Sequence, residues 1–408
     1  MRSLNSLVTD SAAASSSWGS GSRVLNGSLN VLPDGRDLKP LCGVFNEAGW
    51  KRGLVTTTEI THATPAGFAA NVKTREDGLV IATQYLERKI DVLLGGGKKY
   101  FDPAARKDKR DLYAEFKQAG YNVALEAKDL DGFSMNQRWL GTFASGHLPY
   151  TIDQIHDPKL IAKVPTLAHM TKLALKKLER EDHFLLQVEG GRVDHGAHNN
   201  DIATALREMV AFDEALEVCL AFRERFPDTL IVITTDHGTG NPGLAGMGTD
   251  YKESSPLFAH TLLVQKSASE ILKPIEKTPT VEGLKKTVKD CTGYKVPEEK
   301  AAKFIAYVEK KDKPLFDGLN ATLLQFGQLM GNYLGVGWTS GSHSSDYVPL
   351  LAVGPGSELF RGLIQNTDVF RHYLDLAGID FRNPEMPLVS DYDPRGESVE
   401  AVAEYAFV

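Results

Sequence analysis

Short apolar runs alternate with helical patterns along the chain, and this alternation limits the possible folds more than any other feature. The runs are continuous or nearly continuous in apolar and β-branched residues, and they cover Leu54–Ile60, Asp91–Leu94, His183–Glu189, Thr229–Thr235, Thr261–Val264 and Val348–Val353. Such runs are typical of strands buried on both faces of a sheet. We therefore predict an α/β fold: a three-layer α/β/α sandwich with a large, mainly parallel central sheet.

The helical pattern is clearest in Asp201–Phe222, and Thr166–Leu178 is similar. In the first segment the apolar residues recur at spacings of three and four, which predicts that they form the buried face of a helix: Ala205, Met209, Phe212, Leu216 and Cys219. Helices of this kind would cover the predicted sheet.

A Lys-rich stretch over residues 267–333 differs from the rest of the chain. Its helical patterns lie around Val281–Asp290, Glu299–Lys311 and Leu319–Tyr333, between two predicted strands. We interpret it as a helical insertion within a single α/β domain spanning residues 1–408, with its lysines on a solvated face.

Composition excludes several classes of protein. With 408 residues, 42% hydrophobic, the chain is long and apolar enough for a large core. It contains no run of about 18 apolar residues that could span a membrane. A net charge of -7 argues against a general nucleic-acid partner. The three cysteines are too far apart in sequence to predict a disulfide scaffold or a thiolate zinc site.

Glu189, Asp194 and His198 follow a predicted strand, in VEGGRVDHGAH. A spacing of four places Asp194 and His198 on one side of a helical turn, where a carboxylate and an imidazole suit zinc. Glu189 supplies a hard oxygen suited to magnesium. Taken alone, the motif favours a metal site and a polar loop about equally.

Asp236 and His237 follow the run TLIVITT, and His343 precedes VPLLAV. Ligands of open α/β sheets bind at the carboxyl ends of strands, so all three could join one site. Individually, an Asp-His turn and a surface histidine are the simpler interpretations.

Ser11 lies in TDSAA, ahead of a run compatible with a helix. A helix N-terminus favours an anion, and a serine there becomes a nucleophile only if a base or a metal activates it. The Ser-rich start is also compatible with a flexible linker or a transit peptide, and it has no apolar segment typical of a secretory signal.

Taken in order, the motifs resemble those of the alkaline phosphatase family from about Thr9 to about Phe360. The matching segments are TDSAA, VTTTEITHATPAGFAANVKTR, LLGGGKKYF, FASGHLPYTID, VEGGRVDHGAH, TTDH and SHSSDYVPLLAVGPG. The resemblance implies hydrolysis of a broad range of phosphate monoesters, assisted by two zinc ions and one magnesium ion. It also implies that the protein is a homodimer and that it is periplasmic or secreted.

The resemblance implies a role for each matching residue. Ser11, beside Asp10, would carry the phosphoryl group, and Arg75 would clamp the phosphoryl oxygens. One zinc would be held by Asp194, His198 and His343, and the second partly by Asp236 and His237. Magnesium would be held by Glu189 and Thr64. His62 and His195 match positions that vary in the family and that tune the magnesium site and the phosphate surroundings, and His195 is therefore expected to contact substrate.

One family ligand has no match in this sequence. The family carries an aspartate on an early, central strand upstream of the serine, where it bridges the second zinc and the magnesium, whereas only MRSLNSLVTD precedes Ser11 here. We expect that the chain is an amino-terminally incomplete version of a longer protein. The alternative is a degenerate, non-catalytic relative that begins at Met1, in which the second zinc and the magnesium are in doubt. Another enzyme of the same superfamily, such as a sulfatase or phosphodiesterase, is disfavoured because sulfatases need a modified Cys or Ser in their own signature, and none of the three cysteines lies near TDSAA.

Overall fold

The main sheet has five strands, and every neighbouring pair in it is parallel. The computed structural model describes residues 1–388. In chain order the strands are β1 (Lys51–Glu59), β2 (Val92–Gly96), β3 (Tyr121–Ala124), β4 (Arg138–Thr142) and β5 (Phe184–Glu189). Across the sheet their order is β3-β4-β2-β1-β5. The predicted runs that begin at Leu54, Asp91 and His183 all belong to it.

Some of the helices of the described residues cover the two faces of this sheet, and others lie outside it. The helices are α1 (Ser11–Ser20), α2 (Leu41–Glu47), α3 (Ala63–Gly67), α4 (Gly78–Glu87), α5 (Leu112–Gln118), α6 (Thr151–Gln154), α7 (Pro158–Lys163), α8 (Leu167–Leu178), α9 (Arg192–His198), α10 (Ile202–Arg225), α11 (Ser254–Ala259), α12 (Ala268–Lys277), α13 (Val281–Thr292), α14 (Glu298–Val308), α15 (Thr322–Leu334) and α16 (Asp368–Leu376). None of them is both long enough and apolar enough to span a bilayer, among the described residues.

Alternation along the strands builds two cores. Leu54 and Leu93 join a cluster with Trp18 of α1 and Phe370 of α16. Their neighbours Val55 and Leu94 belong to a cluster on the other face, packed against α8 and α10. Because successive side chains point to opposite faces of a strand, a continuous apolar run fills both. The predicted α/β/α sandwich is confirmed.

The predicted helices at 166–178 and 201–222 are present as α8 and α10, and each is capped by the side chain of its preceding residue, Thr166 or Asp201. The predicted buried face of α10 is partly wrong, since Met209 is 50% exposed. Ala211 and Ala215 are buried instead. Their small side chains allow α10 to approach α8 closely, and this rotates the larger Met209 toward solvent.

A second strand pair lies outside the main sheet. β6 (Ile231–Thr234) and β11 (Leu350–Val353) pair antiparallel, and both lie in predicted runs. Contrary to the prediction, neither they nor β5 are fully buried. The reason is that, within residues 1–388, no strand pairs with the outer edge of β5 or of β6. Leu185 of β5 and Val232 of β6 nevertheless pack on the same hydrophobic cluster.

Short two-residue strands complete the chain, and two of them border the site described below. They are β7 (Gly238–Thr239), β8 (Gly243–Leu244), β9 (Val336–Gly337) and β10 (His343–Ser344). β10 pairs antiparallel with β7, which brings His343 opposite Thr239.

The predicted strand over Thr261–Val264 is wrong. The chain forms a 3₁₀ helix at His260–Leu263 that continues α11, and Leu262 is 69% exposed. The Thr261 hydroxyl donates to the Phe258 carbonyl, as in a helical turn. A four-residue apolar run fits a strand and a helical turn equally well, so its length could not decide.

The Lys-rich segment is helical, as its pattern predicts, and contains α12 to α15. Its buried residues, Leu284 and Phe304 among them, share a cluster with Ile152 and Ala203 from outside the segment. The bounds of the single domain and of its insertion remain predictions, and residues 389–408 of that domain lie outside the described residues.

Candidate active site

Ser11 is the first residue of α1, and the fold places its hydroxyl in a buried site. The preceding Asp10 caps the helix by accepting a hydrogen bond from the Ala13 backbone N–H at 2.9 Å. Ser11 is only 6% exposed, and its Oγ lies 3.1 Å from Nε2 of His237. A helix N-terminus presents unpaired N–H groups and a partial positive charge, so it suits an anion beside this hydroxyl.

Tight backbone packing holds α1 in place. A Cβ built on Gly19 of α1 would lie 2.0 Å from the Gly67 carbonyl oxygen of α3. Only glycine allows so close an approach. Because Thr64 lies on α3, the contact fixes Ser11 and Thr64 relative to each other.

Asp194, His198 and His343 form a candidate metal site, since one ligand atom from each lies within 4.8 Å of the others. Asp194 and His198 are one turn apart on α9, as their spacing predicts, and His343 comes from β10. The Nδ1 atoms of His198 and His343 donate to the carbonyls of Gly341 and Thr9, at 2.7 and 2.8 Å.

These hydrogen bonds fix the protons of both rings. A carbonyl only accepts, so each Nδ1 carries the proton and each Nε2 presents a lone pair in the neutral ring. The two Nε2 atoms lie 3.0 Å apart, and that of His198 is 3.4 Å from an Asp194 carboxylate oxygen. Lone pairs so close to one another repel unless a cation lies between them, and His and Asp are ligands that zinc prefers.

Asp236 and His237 meet this cluster at the end of β6. His237 Nε2 lies 2.9 Å from an Asp236 carboxylate oxygen, and its ring stacks on that of His343 at 3.5 Å. Thr239 donates its hydroxyl proton to Asp194, at 2.6 Å, and therefore accepts from His237 Nδ1 at 3.2 Å. The lone pair of Nε2 thus faces Asp236, so the pair requires a proton or a metal cation between them.

The pKa values of this pair agree with that requirement. Burial alone would lower the pKa of His237, but the Asp236 carboxylate outweighs it and raises the pKa. Burial would raise the pKa of Asp236, yet its neighbour His237 lowers it to about 2.

Glu189 lies among hydroxyl groups at the end of β5. Its carboxylate accepts hydrogen bonds from Thr56 and Thr58 of β1 and from Thr64. Burial raises the pKa of Glu189 to about 7, although these hydroxyls oppose the shift. A buried carboxylate with hydroxyl oxygens around it fits a hard cation such as magnesium.

Arg75 connects Ser11's neighbour to a group of histidines. One guanidinium nitrogen donates to the Asp10 carboxylate and another to His62 Nε2, each at 3.1 Å. These two contacts hold the guanidinium fork near Ser11, where its remaining N–H groups suit phosphate oxygens.

His62, His147 and His195 form a second cluster, and His147 was not among the predicted site residues. One nitrogen atom from each of the three rings lies within 4.8 Å of those from the other two. Burial lowers the pKa of His147 to about 4, and burial together with Arg192 lowers the pKa of His195. His147 lies in FASGHLPYTID, a segment that the resemblance includes, so its position was the one signal that pointed to it.

The structure brings every predicted site residue into one region at the carboxyl ends of β1, β5 and β6. Their catalytic, substrate-binding and metal-binding roles remain predictions. They are Asp10, Ser11, His62, Thr64, Arg75, Glu189, Asp194, His195, His198, Asp236, His237 and His343.

The family model described as alkaline phosphatase matches residues 1–379. This chain belongs to the alkaline phosphatase family. The family resemblance seen in the sequence is therefore confirmed, and with it the assignment as a phosphatase that hydrolyses phosphoric monoesters.

Relatives and solved structures agree with the family. Alkaline phosphatase 3 of Bacillus subtilis is 37% identical over 90% of this chain and 76% of its own length. The crystal structure of Thermus thermophilus alkaline phosphatase matches with a TM-score of 0.86 at 37% identity, covering 94% of this chain and 83% of that one. A mutant alkaline phosphatase from the Antarctic bacterium TAB5, solved with Mg bound in its M3 site, shares the fold with a TM-score of 0.66 at 24% identity, covering 92% of this chain and 86% of that one.

Proposed function

We propose that this alkaline phosphatase family member hydrolyses a broad range of phosphate monoesters through a phosphoserine on Ser11. The observation that carries the proposal is the Ser11 hydroxyl at a buried helix N-terminus, 3.1 Å from His237 Nε2. The hydroxyl therefore lies beside the group that would help to hold the second zinc, in a positive environment that suits the phosphate it attacks.

The first step transfers the phosphoryl group. The Ser11 Oγ forms a bond to phosphorus while the bond from phosphorus to the ester oxygen breaks, and the proton that Ser11 loses is balanced by the one that the departing alcohol gains. Arg75 and the N-terminus of α1 bind the non-bridging oxygens, where negative charge is concentrated in the transition state. The bonds that change involve only Ser11, phosphorus and the ester oxygen, so a broad substrate range is expected.

The second step restores the serine. The oxygen of a water molecule forms a bond to phosphorus while the bond from phosphorus to Ser11 Oγ breaks. Orthophosphate departs, and one proton of the water passes to Ser11. Arg75, held by Asp10 and His62, keeps the phosphoryl group in place for both steps.

The donor sets fit two zinc ions and one magnesium ion. Asp194, His198 and His343 would hold one zinc, and Asp236 and His237 would contribute to the second. Glu189 and Thr64 would hold magnesium. When bound, such cations lower the pKa of a hydroxyl and stabilise the departing oxygen.

The test combines turnover, metal content and trapping of the intermediate. Ser11→Ala should abolish turnover of p-nitrophenyl phosphate and labelling of the chain by ³²P-phosphate, while Ser134→Ala, at an exposed serine, should retain both. Full activity of Ser11→Ala would refute the covalent route.

The degenerate alternative makes a different prediction. Within residues 1–388, no carboxylate from an additional strand joins Glu189 and Asp236 to bridge the second zinc and the magnesium. If the lack of this bridging carboxylate inactivates the protein, the purified chain should hold one zinc ion and show no turnover. Two or more zinc ions per chain with chelator-sensitive turnover support the enzyme.

Assembly and location follow from the family alone. We propose a homodimer, which light scattering tests, in the periplasm or secreted, which fractionation of the native cells tests. No nucleic acid is proposed as a specific partner.

A further inference from the structure

The cluster of His62, His147 and His195 lies beside the phosphate site but is built differently from the zinc-like cluster. The ring centroids are 4.4 to 5.5 Å apart, and the rings lie at steep angles to one another. By distance alone the cluster could hold a metal ion. Its hydrogen bonds decide otherwise.

Each of the three rings accepts a hydrogen bond from a group that can only donate. His147 Nδ1 accepts from the Glu59 backbone N–H at 3.1 Å. His195 Nδ1 accepts from Arg192 at 2.7 Å, and His62 Nε2 accepts from Arg75 at 3.1 Å. A backbone amide and a guanidinium have no lone pair to offer, so the accepting nitrogen carries no proton.

The opposite nitrogen of each neutral ring must therefore carry the proton. That leaves N–H groups at His62 Nδ1, His147 Nε2 and His195 Nε2. Neither nitrogen of these rings suits a metal, because one lone pair is already engaged and the other nitrogen is an N–H. His62 Nδ1 is buried with no hydrogen-bond partner among the described residues, and a buried donor without an acceptor is costly.

Two guanidinium groups contact the cluster. Of the carboxylates nearby, Asp10 is paired with Arg75, and Glu59 is paired with Lys99. Arg75 and Arg192 each contact one ring, and the guanidinium of Arg192 stacks on Tyr150 at 3.6 Å, which fixes its position. Two fixed guanidiniums oppose a further cation and favour an anion.

We propose that His62, His147 and His195 form an anion-binding site of three imidazole N–H donors, which holds anionic oxygens of a phosphate bound alongside Arg75. His147 is thereby a phosphate-binding residue of this enzyme, and the cluster is not a metal site. The inference rests on the proposed function, because Arg75 joins the cluster to Asp10 and Ser11.

Two variants of His147 separate the alternatives. In His147→Gln the amide oxygen can accept from the Glu59 N–H while the amide nitrogen donates to the anion, whereas His147→Leu removes the donor. Calorimetric titration of the metal-loaded proteins with inorganic phosphate should show about tenfold weaker binding for the Leu variant, the loss of one hydrogen bond to a charged group. The Gln variant should remain within about threefold of the wild type, and His169→Leu, at an exposed histidine, should be unaffected.

Metal content completes the test. Zinc and magnesium per chain should be the same in the wild type and in both His147 variants. A loss of one metal ion per chain in the Leu variant, or unchanged phosphate binding in it, would overturn the inference. If the wild type itself binds no phosphate, the proposed function fails instead.

A measurement on the wild type guards against misfolded variants. Long-range ¹H–¹⁵N spectra of histidine-labelled protein distinguish the two neutral tautomers. We expect the Nε2–H form for His147 and His195 and the Nδ1–H form for His62. The Nδ1–H form at His147 or His195 would contradict the proposed donor set.

Discussion

His198 and His343 give their Nδ1 protons to backbone carbonyls, whereas His147 and His195 accept a hydrogen bond at the same atom. His198 and His343 with Asp194, and His147 and His195 with His62, each bring three possible ligand atoms within 4.8 Å of one another. The difference shows that the spacing of histidines does not define what they bind. The partner of the second ring nitrogen decides whether a ring presents a lone pair or a proton.

Neighbouring charge reinforces the contrast. Asp194 and Asp236 lie beside histidine rings whose Nε2 atom presents a lone pair. Arg75 and Arg192 instead contact rings that present N–H groups. One region therefore attracts cations and the other attracts phosphate, as a metal-assisted phosphatase requires of adjacent parts of one site.

Loss of a histidine that presents a lone pair to zinc should have the largest effect on turnover. We expect His343→Ala to lower kcat/KM for p-nitrophenyl phosphate by more than about 100-fold and to reduce bound zinc, because changes to mere partners of metal ligands already cost 10–100-fold. Turnover and metal analysis of the same sample measure both. Zinc retained at the wild-type level would contradict the ligand assignment.

The pH dependence of stability in metal-free protein tests the raised pKa of Glu189. In metal-free protein its folded pKa, about 7, exceeds the value of 4.5 expected in the unfolded chain. Its contribution is therefore most favourable below pH 4.5 and is lost as pH rises through 7, by about 2 kcal/mol after allowing for partial exposure. Urea unfolding of chelated protein between pH 5 and 8 should show this fall in the wild type and a smaller one in Glu189→Gln. Equal slopes would exclude Glu189 as the cause.

Substitution of Thr239 tests how the candidate zinc ligands His237 and Asp194 are held in position. Its hydroxyl accepts from His237 and donates to Asp194, and Thr239→Val removes both contacts with little change in volume. We expect zinc affinity to fall by about 10–100-fold. Competition with a chromogenic chelator measures it, and Thr235→Val, which removes a hydroxyl that donates only to a backbone carbonyl, serves as the control.

Substitution of Arg192 should have the smallest effect, and it tests phosphate binding at the cluster of His62, His147 and His195. Arg192→Lys keeps a donor for His195 but loses the stacking on Tyr150. We expect phosphate to bind up to about tenfold more weakly, because a largely buried cation–π contact contributes about 1–2 kcal/mol, with zinc unchanged. A larger change in zinc than in phosphate would join the two clusters into one metal centre.

Sequence patterns predicted the parts of the fold that depend on local chemistry. Continuous apolar runs located β1, β2 and β5, and the spacing of Asp194 and His198 placed both on one turn of α9. The four-residue run at Thr261 was ambiguous, and the exposed Met209 depends on how closely α10 packs on α8. These outcomes are set by contacts distant in sequence.

The sequence predicted which residues form the site, but not which ring nitrogens of its histidines carry protons. Motif order identified Ser11 and the metal-ligand candidates. The tautomers of His147 and His195 depend on the Glu59 N–H and on Arg192, whose positions only the folded chain defines. The second cluster could therefore not be distinguished from a metal site before its hydrogen bonds were known.

The open edges of β5 and β6 bear on how a chain of residues 1–408 alone would behave in concentrated solution. Each displays amide and carbonyl groups with no strand beside it among the described residues, next to apolar side chains such as Leu185 and Val232. An exposed edge of this kind is a template on which another extended chain can add. Self-association through these edges would begin at the sheet margin nearest the catalytic residues, so precipitation and loss of activity should proceed together.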